Sequence, residues 1–148
     1  MIFSNPHLFS ASSMPLDISS FTNAITRLDE GWVRYQSDIS DTQIRDGLIH
    51  RLKITYELTH KMLKRYLEAS AANPAEFDQA DFHYLIRSAN EQGLLLGDWP
   101  QWRRYRDMRA KTSYTYDEAI AREVVDAIPG FLKEAQYLHQ QLMQRLSK

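Results

Sequence analysis

The segment WPQWRRYRDMRAK, residues 99–111, combines guanidinium groups with aromatic rings. Guanidinium groups bind phosphates in a bidentate manner, and aromatic faces stack on bases. From 101 to 111 this segment carries one acid and five basic residues, which are Arg103, Arg104, Arg106, Arg109 and Lys111. An amphipathic helix with a solvated basic face and an aromatic core face has the same composition, so composition alone leaves a binding surface and a structural helix both open.

Helical geometry separates Arg109 from the neighbouring arginines. At about 100° per residue, Trp102, Tyr105 and Arg109 fall within one narrow stripe, whereas Arg103 and Arg104 point elsewhere. The stripe predicts that Arg109 turns toward the bundle or toward a partner. An inward-facing arginine must meet an anion or carbonyl groups, because a buried unpaired charge is expensive. A salt bridge within the fold would satisfy it, and so would a phosphate.

The histidines do not have the spacing of a metal site. His50 and His60 are ten residues apart on one predicted helix, so they share neither a turn nor a face. A satisfied polar or interface position is the ordinary role for His60. Glu57 and Lys61 have the spacing of an i,i+4 ion pair. With no cysteine in the chain, thiolate chemistry is excluded, and we predict neither a metal nor a cofactor.

Apolar residues recur at helical spacing almost throughout the chain, without a strand pattern or an internal repeat. The stripe of the first helix consists of Ile18, Phe21, Ala24 or Ile25, Leu28, Trp32 and Tyr35. A second helix is predicted to end near 70, a third at Gly93, and a fourth covers 99–111. A fifth begins near 118, and Pro129 kinks or restarts it. The chain is therefore predicted to be all-α, an antiparallel four-helix-type bundle with about five helices.

Capping residues predict where these helices begin. The predicted caps are Asp17, Ser40 with Gln43, Asp78, and Thr115 with Glu118. Phe77 and Phe82 flank Asp78 at the spacing of a hydrophobic staple, and Asn73-Pro74 ends the second helix. Gly47, in the interior of that helix, is predicted to permit close approach by another helix.

Length and charge limit the function classes. The chain has 148 residues, which suits one domain, and its 18 Lys and Arg balance 19 Asp and Glu, so no global field attracts nucleic acid or membrane. No apolar run is long enough to span a bilayer, and the N-terminus is a poor signal peptide. We predict a cytoplasmic protein with a flexible extension over 1–13, a single domain over 14–148, and either Met1 or Met14 as the start.

Two segments carry a family resemblance, RDGLIHRLKITYELTHKMLKRYLE at 45–68 and RAKTSYTYDEAIAREVVDAIPGFL at 109–132. With them, the chain resembles the nucleotidyltransferase substrate-binding proteins of the HEPN superfamily over 14–148. The resemblance implies a HEPN-like bundle that forms a homodimer and pairs with a separate minimal nucleotidyltransferase. In toxin–antitoxin versions of the pair, the HEPN subunit is a metal-independent ribonuclease that the nucleotidyltransferase neutralises.

The family's ribonuclease motif is an arginine, four residues and a histidine, often followed by x-Tyr. In this chain Arg109 occupies the arginine position, Tyr114 the histidine position and Tyr116 the trailing tyrosine. Cleavage through the 2′-hydroxyl needs a proton acceptor of near-neutral pKa, whereas an ordinary phenol is only about a thousandth ionised at neutral pH. We therefore expect a retained anion site with weakened or absent cleavage. The resemblance also makes Tyr116 a possible AMP acceptor, although packing at the start of the last helix would explain it equally well.

The predicted site contains more residues than the motif. Its binding candidates are Arg109, Tyr114, Tyr116, Trp102, Tyr105, Arg106, Arg45 and Arg51. Its expected ligand is a nucleotide, an RNA phosphate or the partner's active site. The alternative is an active metal-independent ribonuclease in which Tyr114, or a histidine such as His50, His60 or His83, transfers the proton. A purely structural dimerisation module is a third possibility.

Overall fold

A computed structural model describes residues 16–77 and 81–147, and the predicted extension over 1–13, with the possible start at Met14, lies outside them. The described residues form five α-helices and contain no β-strand, so the prediction of an all-α fold is confirmed. The helices are α1 (Ser19–Ser37), α2 (Thr42–Ser70), α3 (Phe82–Glu91), α4 (Trp99–Lys111) and α5 (Glu118–Leu146). Short 3-10 turns cover Pro74–Phe77 and Thr112–Tyr114.

Side-chain contacts give the directions of the helices. α1 runs antiparallel to α2, since the Thr55 hydroxyl reaches Ala24 O and Arg51 reaches Arg27 O. α4 runs antiparallel to α5, since Gly97 lies beside Glu134 while Lys111 lies beside Glu123. α2 and α5 run in the same direction, because Arg45 meets Glu118 and Tyr56 meets Phe131. The N-terminal ends of the two longest helices therefore lie side by side.

The core is built from the apolar stripes that the helical spacing predicts. On α1 the fully buried residues include Phe21 and Leu28, with Ile25 also buried, whereas Trp32 and Tyr35 pack partly buried against the core. Aromatic rings of four helices meet at its centre; these are Tyr56, Phe82, Trp102, Tyr105 and Phe131. Their ring centroids lie 5.3–6.2 Å apart in tilted and edge-on contacts, the range of favourable aromatic pairs. This aromatic centre fixes α4 against α2 and α5.

Aspartate side chains cap α2 and α5, and the Ser40 and Thr115 caps predicted for these helices were wrong. Asp41 Oδ1 accepts from Ile44 N at 3.0 Å, while the Ser40 hydroxyl donates to Asp38 instead. Asp117 Oδ1 accepts from Ala119 N and Ile120 N. Thr115 does not cap α5, because its hydroxyl bonds back to Thr112 O. An ionised carboxylate at a helix N-terminus gains from the macrodipole as well as from the hydrogen bond, which explains the preference.

The ends of α1 and α3 follow the same chemistry. Asp17 accepts from the backbone N–H of Ser19 at 2.9 Å, one residue before the capping position of α1. Asp81 caps α3 by accepting from Tyr84 N, so the predicted staple around Asp78, which lies outside the described residues, does not mark the helix start. The predicted end of α3 is confirmed, because Gly93 adopts a left-handed φ of 72° just after the last turn.

The prediction about Gly47 was wrong, and of the two alternatives at Pro129 the restart is excluded. A Cβ placed on Gly47 would meet nothing within 4 Å, so no helix approaches it. The close approach occurs at Gly31 of α1, where a Cβ would lie 3.3 Å from side-chain atoms of Leu48 and Arg51. α5 does not restart at Pro129 but continues through it as one helix. Among the described residues, no helix is both long and apolar enough to cross a membrane.

Candidate anion-binding site

Arg109 lies in the last turn of α4 and forms an ion pair with Glu57 of α2. Its side chain is 35% exposed, so it lies at the edge of the bundle and not in open solvent. The predicted stripe is confirmed in that Trp102 and Tyr105 are buried on the same face. The predicted pairing of Glu57 with Lys61 is not what the structure shows, because the partner of Glu57 is Arg109. A carboxylate of the chain itself therefore satisfies this guanidinium.

Cationic groups surround the buried phenol of Tyr56, one residue before Glu57. Burial raises the pKa of Tyr56 above its ordinary value, and the neighbouring Arg106 and Arg109 guanidiniums oppose the rise. Tyr56 therefore remains a neutral phenol. Arg106 also lies over the Trp99 ring, with its guanidinium carbon 5.1 Å from the ring centroid. Such a cation–π contact holds the Arg106 side chain along α4.

Tyr114 and Tyr116 lie on the segment between α4 and α5 and are largely exposed. The two residues are 53% and 87% exposed, and their ring centroids are 6.4 Å apart in an edge-on arrangement. The turn that carries them is closed by local hydrogen bonds, from the Thr112 hydroxyl to Arg109 O at 2.7 Å and from Asp117 N to Tyr114 O at 3.1 Å. Two phenols are thus presented to solvent directly after the motif arginine.

Trp102 and Tyr105 are core residues. Trp102 is fully buried, and its Nε1 donates to Glu134 at 3.1 Å. Tyr105 is buried against the Phe131 ring at 5.3 Å. In this arrangement neither ring has a free face on which a base could stack. Their contribution to the site is to orient the helix that carries Arg109.

Arg45 and Arg51 do not lie at Arg109. Arg45 is buried near the start of α2 and donates to Glu118 Oε2 at 2.7 Å. Arg51 donates to Arg27 O of α1. Arg45 precedes Glu57 by twelve residues of one helix, which corresponds to about 18 Å along its axis. The structure therefore separates the predicted set into a group around Arg109 and a group around Arg45.

The histidines are placed apart from the motif. His60 is half-buried with its ring edge-on to Phe82 at 5.0 Å, and burial lowers its pKa. His83 stacks on Trp99 at 4.5 Å, and His50 is exposed on α2. Within residues 16–77 and 81–147, no hydrogen bond or ring contact joins a histidine to Arg109 or Tyr114.

The sequence did not predict the roles of two carboxylates that join the helices of this region. Glu118 was assigned to a capping box, yet it joins α5 to Arg45 of α2. Glu134 is 2% exposed and accepts hydrogen bonds from Leu96 N, Gly97 N and Trp102 Nε1. Glu134 interrupts an otherwise apolar stretch of the α5 stripe, and this position could have predicted its role. An acidic residue on an apolar helix face is buried only when it is paired. No comparable local signal exists for the partner of Arg109.

Comparison with known proteins places this arrangement in a family. The sequence profile described as "Nucleotidyltransferase substrate binding protein like" matches residues 16–144. A Haemophilus influenzae protein named "Probable ribonuclease HepT" is 38% identical over 117 residues, which cover 79% of this chain and 80% of that protein. A solved Haemophilus influenzae structure, described as the fold of a substrate-binding domain of a nucleotidyltransferase, superposes with a TM-score of 0.80 at 33% identity and covers 86% of this chain and 99% of its own. The chain therefore belongs to the nucleotidyltransferase substrate-binding protein family.

Proposed function

We propose that this protein is the cytoplasmic, homodimeric HEPN-type partner subunit of a separate minimal nucleotidyltransferase. Its motif group, Arg109, Tyr114 and Tyr116, binds a nucleotide or RNA phosphate or the partner's active site, in some settings within a toxin–antitoxin pair. Ribonuclease activity is weakened or lost because a tyrosine replaces the motif histidine. The observation that carries the proposal is a motif arginine held at the bundle edge by Glu57, directly before two exposed phenols.

The contacts of Arg109 leave room for a ligand. The ion pair with Glu57 uses Nη2, and a guanidinium has several further N–H donors that can form a fork on a phosphate. A phosphate here shares the guanidinium with Glu57 or displaces that carboxylate. Tyr114 supplies a phenol hydroxyl that can donate a hydrogen bond, where the family motif has an imidazole. The group is therefore suited to holding an anion and poorly suited to abstracting a proton from a 2′-hydroxyl.

Restoring the imidazole tests this account. We expect Tyr114→His to cleave single-stranded RNA without metal, measured by gel against wild type, because the new imidazole titrates near neutral pH. The double variant Tyr114→His/Arg109→Ala should lose this gain. Tyr84→His is the matched control, since Tyr84 is an exposed tyrosine outside the motif that bonds to Glu76. Equal cleavage by Tyr84→His, or none by Tyr114→His, would contradict a site that lacks only its base.

The partner is tested by co-purification. A tagged copy of this chain, expressed together with its neighbouring reading frames, should recover a nucleotidyltransferase in stoichiometric amount. The exposure of Tyr116 supports its role as an AMP acceptor in that complex. Its phenol oxygen would attack the α-phosphorus of ATP and release pyrophosphate, and intact mass after incubation with the partner and ATP should rise by one adenylate. Tyr116→Phe should abolish the increase while leaving co-purification unchanged.

The second candidate is an active ribonuclease, and the relative named "Probable ribonuclease HepT" favours it. His60 is the histidine closest in sequence to Glu57, three residues further along α2. In this case wild type cleaves RNA without metal, and both Arg109→Ala and one of the variants His50→Gln, His60→Gln or His83→Gln abolish cleavage. A wild type that is inactive until Tyr114 becomes histidine excludes this candidate.

A further inference from the structure

A cavity of about 400 Å³ lies where the N-terminal ends of α2 and α5 meet the end of α1. Its charged lining consists of Arg45, Glu118, Arg122 and Asp126, and its aromatic and apolar wall includes Tyr35 and Ile39. None of these residues belongs to the motif group, so an inference about the cavity goes beyond the proposed function. The size is within the range of small-ligand sites.

Among the described residues, Arg45 carries the one buried side-chain nitrogen or oxygen that has no hydrogen-bond partner. Its residue exposure is 8%, and its Nη1 donates to Glu118 Oε2 at 2.7 Å. Its Nε is buried and has no hydrogen-bond partner. Buried polar atoms in native proteins are nearly always paired, so an orphaned donor on a buried guanidinium calls for an acceptor. A ligand oxygen in the adjoining cavity supplies one.

The charges around Arg45 favour an anion at one end of the cavity. Glu118 Oε2 accepts from Arg45 and also from Arg122 Nε at 3.1 Å, so a single carboxylate oxygen serves two guanidiniums. These two hydrogen bonds, the first from Arg45, hold the pKa of Glu118 below its ordinary value. Arg45, Arg122 and Glu118 together carry one net positive charge, whereas Asp126 balances the charge of the cavity lining as a whole. Guanidinium pairs of this kind bind phosphate oxygens in a planar fork.

The other residues of the cavity lining indicate which chemical groups the ligand carries beside its phosphate. Asp126 brings a second carboxylate to the cavity, and in the described residues it has no ion-pair partner. It would repel a free inorganic phosphate but accept hydrogen bonds from sugar hydroxyls, as carboxylates do toward ribose in dinucleotide sites. Tyr35 is half-buried and Ile39 is 69% exposed, so together they offer a surface for a flat ring. A phosphate, a diol and a ring together describe a nucleotide.

We propose that this cavity binds a nucleoside monophosphate. Its phosphate lies on Arg45 and Arg122, its ribose hydroxyls donate to Asp126, and its base packs on Tyr35 and Ile39. The site is separate from Arg109, from which it is about 18 Å distant along α2. Two nucleotide-binding positions would then lie at the two ends of the segment that carries Tyr114 and Tyr116.

Isothermal titration of the full chain with AMP tests the proposal, with adenosine and inorganic phosphate as partial ligands. We expect AMP to bind at least about tenfold more tightly than either, because neither fills both ends of the cavity. Arg45→Lys keeps the charge but removes the fork, and should weaken AMP binding about tenfold or more. Arg104→Lys is the matched control, since Arg104 is an exposed arginine of α4, and should leave AMP binding at the wild-type value.

A second variant guards against misfolding of Arg45→Lys. The Arg122 side chain is 75% exposed, so Arg122→Gln should fold normally by circular dichroism and weaken AMP about threefold. The proposal is overturned if wild type binds no AMP, if inorganic phosphate binds as tightly as AMP, or if Arg45→Lys and Arg122→Gln both bind like wild type. A loss caused by Arg109→Lys alone would assign the nucleotide to the motif group and overturn this inference while leaving the proposed function intact.

Discussion

Neutralising Glu134 tests how the fold positions the motif helix. This carboxylate of α5 is almost completely buried, and it holds the loop before α4 together with α4 itself. Its Oε2 accepts from Leu96 N at 2.6 Å, and its Oε1 accepts from Gly97 N at 2.7 Å and from Trp102 Nε1 at 3.1 Å. Because Arg109 lies two turns beyond Trp102 on the same helix, these bonds set the orientation of the arginine.

The expected magnitude follows from counting donors. In Glu134→Gln the amide oxygen can keep the Gly97 and Trp102 bonds, but the amide nitrogen then faces Leu96 N–H, donor against donor. A lost hydrogen bond to a charged group is worth about 1.5–3 kcal/mol, and the lower burial cost of a neutral side chain returns part of it. We expect a loss of about 1–2 kcal/mol of unfolding free energy for Gln. Glu134→Ala leaves all three donors unpaired and should lose about 3 kcal/mol or more.

The Glu134 effect should also depend on pH. Burial raises the pKa of Glu134, even though its three hydrogen bonds lower it in part. A carboxyl with a folded pKa above its unfolded value contributes its full stability below the unfolded pKa and loses it as pH rises through the folded value. The stability of wild type relative to Glu134→Gln should therefore increase on acidification from neutral pH toward the ordinary carboxyl pKa of 4.5.

Urea unfolding followed by circular dichroism measures these differences. Glu123→Gln is the matched control on the same helix, because Glu123 forms an exposed ion pair with Lys111 at 2.9 Å. Exposed pairs contribute about 0–1 kcal/mol, so the control should unfold near the wild-type midpoint. If Glu134→Ala loses no more stability than Glu123→Gln, Glu134 does not hold α4, and the reasoning from its three hydrogen bonds fails.

Two further predictions concern glycines and histidines. Gly47→Ala should raise the unfolding free energy by about 1 kcal/mol in urea titrations, because its Cβ meets nothing, whereas Gly31→Ala should gain nothing or lose stability because its Cβ would crowd Leu48 and Arg51. A gain of similar size at both positions would contradict the packing at Gly31. Burial lowers the pKa of His139, and burial together with Lys64 lowers that of His60. The contribution of the two histidines to the stability of the protein is therefore fully present above pH 6.5 and is lost as the pH falls through their pKa values in the folded state. The double variant His60→Gln/His139→Gln should reduce the change of melting temperature between neutral and mildly acidic pH, whereas His50→Gln should not. An unchanged pH dependence in the double variant would refute the assignment.

The helices were predictable because each rests on many residues at once. The stripe of α1, from Phe21 to Tyr35, repeats over about four turns, so a single exception does not change the period. Helix starts rest on one or two side chains, and there the prediction failed. Ser40 stands next to Asp41, and Thr115 stands two before Asp117, so several residues compete for each cap and the carboxylate prevails.

The site was predictable to the extent that it depends on rotation about one helix axis. That Arg109 shares a face with Trp102 and Tyr105 follows from spacing alone, and the structure agrees. Its partner is 52 residues away in sequence, on a different helix, and local spacing offered Lys61 as the partner of Glu57 instead. Contacts between helices depend on the packing of the aromatic core, which no single helical pattern encodes.

The two ion pairs of α2 connect the two segments, 45–68 and 109–132, that carry the family resemblance. Glu57 holds Arg109 at the end of α4, and Arg45 holds Glu118 at the start of α5. The eight residues between Arg109 and Glu118, which include Tyr114 and Tyr116, are therefore fixed at both ends to one helix. Arg45 and Glu57 both lie within 45–68, so this segment of α2 positions the motif segment. The two ion pairs therefore hold the ends of the motif segment at positions of α2 that lie about 18 Å apart along its axis.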